Sequence, residues 1–110
     1  MDLFTKSLIL KEKEEKTGKL LLPGLLTGII PEDLTTLEHL DTIIIQDSKC
    51  SKITFPSNLQ KLTKLKNIHI HQTLITEIPE ELFSAISITN LCLGGNKIEH
   101  ISENICNLKI

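Results

Sequence analysis

"LCLGGNKIEHI", residues 91–101, admits two readings with different consequences for function. Gly94 and Gly95 followed by Lys97 would form a glycine loop around a phosphate, or the stretch is one unit of a repeat that builds a surface. A phosphate loop needs backbone N–H groups turned toward an anion, with a lysine and a hydroxyl residue at fixed offsets behind a strand. Here Ile98 stands where Ser or Thr would follow the lysine, and no four-residue spacer separates two glycines. The phosphate reading fails on spacing.

The repeat reading is tested by counting. Twelve residues after Pro31, Pro56 and Pro79 lie Ile43, Ile68 and Leu91, each opening an apolar-x-apolar triplet. Between proline and triplet, the third, sixth and ninth residues are Leu34, Leu37 and Leu40 in one block and Leu59, Leu62 and Leu65 in the next. In the last block they are Leu82, Ala85 and Ile88. Leu20 and Leu22 extend the series backward, so triplets begin at 20, 43, 68 and 91, at intervals of 23, 25 and 23. A polar residue recurs at one offset, as Ser48, Thr73 and Asn96, with Cys50, Ile75 and Ile98 two places later. Phe55 and Ile78 precede their prolines, and Ile101 holds the equivalent place with Ser102 instead of proline. A pattern renewed at 23–25 residues is the signature of stacked structural repeats.

Read as LxLxxNxLxxI, the quoted stretch resembles a unit of the leucine-rich repeat family, and the resemblance runs from about residue 17 to the C-terminus. "LTGIIPEDLTTLEHL", residues 26–40, looks like the Gly-x-Ile-Pro form of plant-type units, although "LLL" at 20–22 permits a one-residue shift that leaves the subtype open. The resemblance implies an α/β fold: a right-handed leucine-rich repeat solenoid of about four units, with a curved parallel sheet and short helices or 3-10 turns on its convex side. Strands are expected near 20–22, 43–45, 68–70 and 91–93. Independently, LxL in a short strand turns Leu20, Leu22, Ile43, Ile45, Ile68, Ile70, Leu91 and Leu93 to one side as stacked aliphatic layers. Ser48, Thr73 and Asn96 then hydrogen-bond the turns. In the family this is an asparagine ladder, weakened here by the two shorter residues.

"PEDLTTL", "PSNLQKL" and "PEELFSA" place their apolar residues at helical spacing, and the acids after Pro31 and Pro79 suit a helix start. The two additional residues of the 25-residue unit fall in "CSKITFP", where they bulge on the descending side and spare the strand register. Residues 1–16 are read as an N-terminal helical cap, its apolar residues Leu3, Phe4, Leu8 and Ile9 covering the first repeat, and 17–110 as the repeat domain. At the other end Ile105 and Leu108 repeat the pattern of Leu82 and Ala85 and the chain stops. That leaves three expectations: a fragment of a longer protein, a homodimer through an open C-terminal end, or final residues folded over as a makeshift cap.

Composition narrows the function. Apolar residues make up 40% of the 110 residues, almost all Leu and Ile, with three Phe and no Trp, Tyr, Val or Arg. A net charge of −2 without arginine or stacking aromatics argues against nucleic acid. The N-terminus is interrupted by charge too early for a signal peptide or span, and its mixed charges disfavour a membrane-surface helix. Three cysteines without CxxC spacing and no Asn-x-Ser/Thr acceptor agree with a reducing compartment, so a cytoplasmic protein is expected.

The remaining question is which surface works. Alternation along the strands puts Leu21, Ile44, His69 and Cys92 in a central concave column, flanked by Thr42, Asn67 and Asn90 on one side and Gln46 and His71 on the other. An apolar strip between hydrogen-bonding groups suits a protein partner of unknown identity, and the absence of Trp, Tyr and Arg implies modest affinity. The alternative is a structural or regulatory segment of a larger protein, packing on neighbouring domains. His69, His71 and Cys92 are the candidate metal ligands, with Cys92 about 5 Å from His69 by strand spacing. No fourth ligand accompanies them, and no oriented base, oxyanion site or pocket would activate Cys92 as a nucleophile. Neither enzyme activity nor a cofactor is expected.

Overall fold

A computed structural model of the chain describes residues 3–25, 27–101 and 103. The expected continuation at Ile105 and Leu108, and with it the dimerising C-terminal end, lies outside the described residues. A helix, α1 (Leu3–Glu15), is followed by β1 (Lys19–Pro23), β2 (Thr42–Gln46), β3 (Asn67–His71) and β4 (Asn90–Cys92). The strands form one parallel sheet in chain order. Three 3-10 turns, Glu32–Thr36, Leu59–Lys61 and Glu80–Ser84, occupy the segments behind the prolines. β1, β2 and β3 extend one residue beyond the apolar triplet at each end, whereas β4 begins one residue before its triplet and stops at Cys92, short of Leu93.

Register follows the repeat without slippage: Leu20 pairs Ile43, Ile43 pairs Ile68 and Ile68 pairs Leu91. The inner layers Leu20, Leu22, Ile43, Ile45, Ile68 and Ile70 are fully buried, while Leu91 and Leu93 pack against the core half-buried. Behind them Leu34, Leu59 and Leu82, then Leu37, Leu62 and Ala85, then Leu40, Leu65 and Ile88 fill the interior. Ile30, Phe55 and Ile78 close it ahead of the prolines. At the strand entrances one carbonyl serves two donors in every step: Gly18 O accepts from Asp41 N and Thr42 N, Asp41 O from Lys66 N and Asn67 N, Lys66 O from Thr89 N and Asn90 N. Adjacent units are thereby fixed at the same height before the strands begin.

At the strand exits a left-handed residue recurs. Gly24, Asp47, Gln72 and Gly95, at one offset in the four units, have φ of 67°, 56°, 54° and 75°. Gly95, which began as half of an apparent phosphate loop, is the turn residue of its unit. The polar position follows it, and its bonding depends on side-chain length. Asn96 accepts from Thr73 N and Thr73 Oγ1 through Oδ1 and donates to Ile70 O and Leu93 O through Nδ2. Ser48 reaches only Leu25 N firmly, at 2.9 Å, with a long 3.5 Å bond to Gln46 O. Cys50 adds a thiol bond to Leu25 O.

The additional residues of the second unit leave the sheet undisturbed, since β1–β2 and β2–β3 pair along their full length. The segment that holds them packs closely on Gly28 of the preceding unit: Thr54 N donates to Gly28 O, Ile30 N donates to Thr54 O, and a Cβ on Gly28 would stand 2.2 Å from Lys52 O. The carboxylates behind the prolines do more than begin a turn. Glu81 accepts from Phe55 N in the preceding unit, and Asp33 faces Lys6 of α1 at 3.8 Å.

The helix buries only part of the face its apolar residues suggest: Leu8 and Ile9 meet the core, while Leu3 and Phe4 do not. Thr5, Ile9 and Glu12 are buried and Leu8 is half-buried, whereas Leu3, Phe4 and Leu10 are exposed at 72%, 52% and 60%. Glu12 explains the rotation. Its carboxylate accepts from Thr17 Oγ1 at 2.6 Å and from Gly18 N at 2.8 Å, and meets His39 Nε2 at 2.8 Å. A buried carboxylate is costly unless its oxygens are satisfied, and these three donors lie where only a helix turned this way can reach them.

Two outcomes are expected. Burial alone would raise the Glu12 pKa, but the bonds from Thr17, His39 and Gly18 and the charge of His39 outweigh it and hold the carboxyl below its ordinary 4.5. The stabilisation is therefore present above the ordinary carboxylate range and lost as pH falls through the lowered folded-state value. Glu12→Gln, which sets an amide NH₂ against one of the donors, should cost about 1–3 kcal/mol at neutral pH, with the gap to wild type closing on acidification in urea titrations. Gly28→Ala should cost about 3 kcal/mol or more, from strain and overlap with backbone, against about 1–2 kcal/mol for Gly24→Ala, where the added Cβ meets nothing within 4 Å. Equal losses would remove the close approach from the account.

Candidate functional site

The face of the sheet turned away from the core carries the expected columns in register. Lys19, Thr42, Asn67 and Asn90 are successive partners, as are Leu21, Ile44, His69 and Cys92, and Pro23, Gln46 and His71. In the central column Leu21 is 45% exposed, Ile44 and His69 are half-buried and Cys92 is exposed. The column is apolar at the first two strands and polar at the last two.

The first column is a connected chain of side-chain hydrogen bonds. Asn90 Nδ2 donates to Asn67 Oδ1 at 2.7 Å, Asn67 Nδ2 to Thr42 Oγ1 at 3.2 Å, and Thr42 Oγ1 to Asp41 Oδ1 at 2.6 Å. Every donor points toward the Asp41 carboxylate, so the charge at the end sets the direction of the whole chain, and aligned bonds of this kind polarise one another. Thr42 is buried and Asn67 half-buried, whereas Asp41 and Asn90 at the two ends are exposed, so the chain is sheltered in its middle and open to solvent at both ends.

In the third column His71 stands over His69, their rings 5.6 Å apart and edge-on at 84°. His69 and Cys92 are register partners. Among the described residues no group of three or more His, Cys, Asp or Glu side chains is placed to hold a metal ion. His39 is engaged by Glu12, away from this face.

Column counting puts Asp41 at the outer edge of this face, and the structure adds its role, the acceptor that terminates the side-chain chain. One contributor escapes a reading by strand columns. Leu8 and Lys11 of α1 share a cleft of about 190 Å³ with Leu20 and Leu21, so the helix extends the open face past its first strand. The spacing of Leu8 and Lys11 signals a helix, but where that helix sits depends on Glu12, Gly18 and His39 jointly. No helix among the described residues is long and apolar enough to cross a membrane.

The chain matches no protein-family model and no curated protein sequence. Among solved structures it is similar to the crystal structure of the LRR ectodomain of the receptor kinase SOBIR1 from Arabidopsis thaliana, with a TM-score of 0.52 and 19% identity over 81% of this chain. The fold is leucine-rich-repeat-like. The match spans 50% of the other chain, so this chain corresponds to about half of that ectodomain. At this identity the likeness is one of architecture: parallel strands in chain order, separated by short helical turns.

The side-chain chain yields a measurable difference. Asn67→Ala removes a donor and an acceptor in its middle and should cost about 1–2 kcal/mol in urea unfolding, while Asn90→Ala at its exposed end should cost about 0.5 kcal/mol. A reversed order would show that the bonds do not act as a connected series.

Proposed function

We propose that the chain is a short right-handed solenoid, with α1 covering its first unit, that binds another protein through the concave face of its sheet. The observation that carries this reading is the pairing of two unlike columns on one open face. Leu21 and Ile44 offer apolar area, and the chain Thr42–Asn67–Asn90 beside them offers fixed hydrogen-bonding groups. Apolar contact supplies affinity and oriented polar groups supply register, the division of labour found across protein interfaces. Gln46, His69, His71 and Cys92 complete the face on its polar side. With no Trp, Tyr or Arg in the sequence, affinity in the micromolar range is expected from this face alone.

The same surface argues against catalysis as the working role. His69 and His71 pack edge-on, and among the described residues no group of three or more His, Cys, Asp or Glu side chains gathers around Cys92. The test is to pan a random peptide display library on the full chain and measure the enriched peptides by fluorescence anisotropy. Binding should weaken about tenfold or more with Leu21→Glu or Ile44→Glu and stay unchanged with Lys97→Glu, which lies off this face. A library from which no enriched peptide responds to Leu21→Glu or Ile44→Glu would overturn the proposal.

A further inference from the structure

One cleft of this molecule concentrates positive charge. Between the end of α1 and the segments behind the first two 3-10 turns lies an open cleft of about 590 Å³ rimmed by Lys13, Lys16, Lys61 and Lys64. Glu38 is the one carboxylate in its lining, so four lysines face one acid in a chain whose net charge is −2. His39, also in the lining, is held by Glu12. Among the described residues the ion pairs are Lys6–Asp33 and His39–Glu12, and none of the four cleft lysines takes part. Lys13 of α1 and Lys16 just after it line this cleft, while Glu15 lines the separate cleft beside Leu8 and Leu21 together with Lys11 and Lys19.

The chemistry of the rim selects among anions. A single exposed lysine–carboxylate contact is weak and is screened by salt, so an isolated small anion gains little here. A ligand carrying several negative charges gains from all four lysines at once. Lysines are point charges on flexible stems, without the planar fork that grips a phosphate in two places, and the sequence has no arginine to supply one. Base stacking is equally unsupported, since Trp and Tyr are absent. The neighbouring surface points the same way. Seven residues after each proline lie Glu38, Thr63 and Ile86, so Ile86 continues the cleft column into the third block, where it is 63% exposed. A phosphodiester strand has no use for an apolar continuation, whereas a peptide does.

We infer that this cleft takes an acidic peptide segment of a partner protein, with successive Asp or Glu side chains on Lys13, Lys16, Lys61 and Lys64 and an apolar residue beyond them on Ile86. The site lies apart from the open face of the sheet, and its failure or success leaves the reading of that face untouched.

The experiment titrates the full chain into a fluorescent hexaglutamate peptide ending in leucine, followed by anisotropy as salt rises from about 20 mM to about 200 mM. Binding is expected at low salt and lost with rising salt. It should fall about tenfold with Lys61→Gln/Lys64→Gln, which halves the cleft lysines, and hold with Lys49→Gln/Lys97→Gln, which changes net charge equally elsewhere. Ile86→Ser should weaken the leucine-ended peptide and spare plain hexaglutamate. All these side chains are exposed, and Lys13→Gln/Lys16→Gln decides the matter should the first pair unfold, as judged by circular dichroism. No binding at low salt, equal loss in the control pair, or tighter binding of single-stranded oligothymidine than of the peptide would each overturn the inference.

Discussion

No unit of this chain can bury its own aliphatic residues. Ile43 and Ile45 are covered only because Leu20 and Leu22 lie on one side of them and Ile68 and Ile70 on the other, in unbroken register. Fixing a strand of five residues costs several kcal/mol of conformational entropy, and the return comes entirely from neighbours. Everything else in the fold serves to keep those layers level: the shared carbonyls of Gly18, Asp41 and Lys66 at the strand entrances, and the left-handed residues at the exits.

The polar groups of the two sheet edges do different work under this constraint. At the exits Asn96 ties its turn to the preceding unit with three bonds and braces its own turn with a fourth, and the shorter Ser48 ties with fewer. At the entrances the amides of Asn67 and Asn90 lie on the open face and remain within reach of a ligand while they brace the strands. A surface built this way is stiff where it is most polar.

What was legible in the sequence is what repeats. The inner leucines and isoleucines, the proline positions, the columns of the open face and the place of the two additional residues follow from counting, because burial imposes the same demand on every unit. What was not legible is what occurs once. Leu3 and Phe4 read as the buried side of α1, yet Thr5 and Glu12 take that place, because the helix is turned by a carboxylate whose donors come from Thr17, Gly18 and His39. Likewise the columns give the positions of Asn67 and Asn90 but not the direction of their amides, which a carboxylate outside the strands determines. The lysine-lined cleft is hidden for the same reason, since Lys13 and Lys64 become neighbours only once the helix is placed.

The second unit holds two residues more than its neighbours and still pairs with both at full length. The surplus leaves the stack sideways, over a glycine that yields it space. Pitch and girth are thus independent quantities in this architecture. A segment inserted between Cys50 and Phe55 would enlarge the outline of the molecule and change its accessible loops while the spacing from strand to strand stayed as it is.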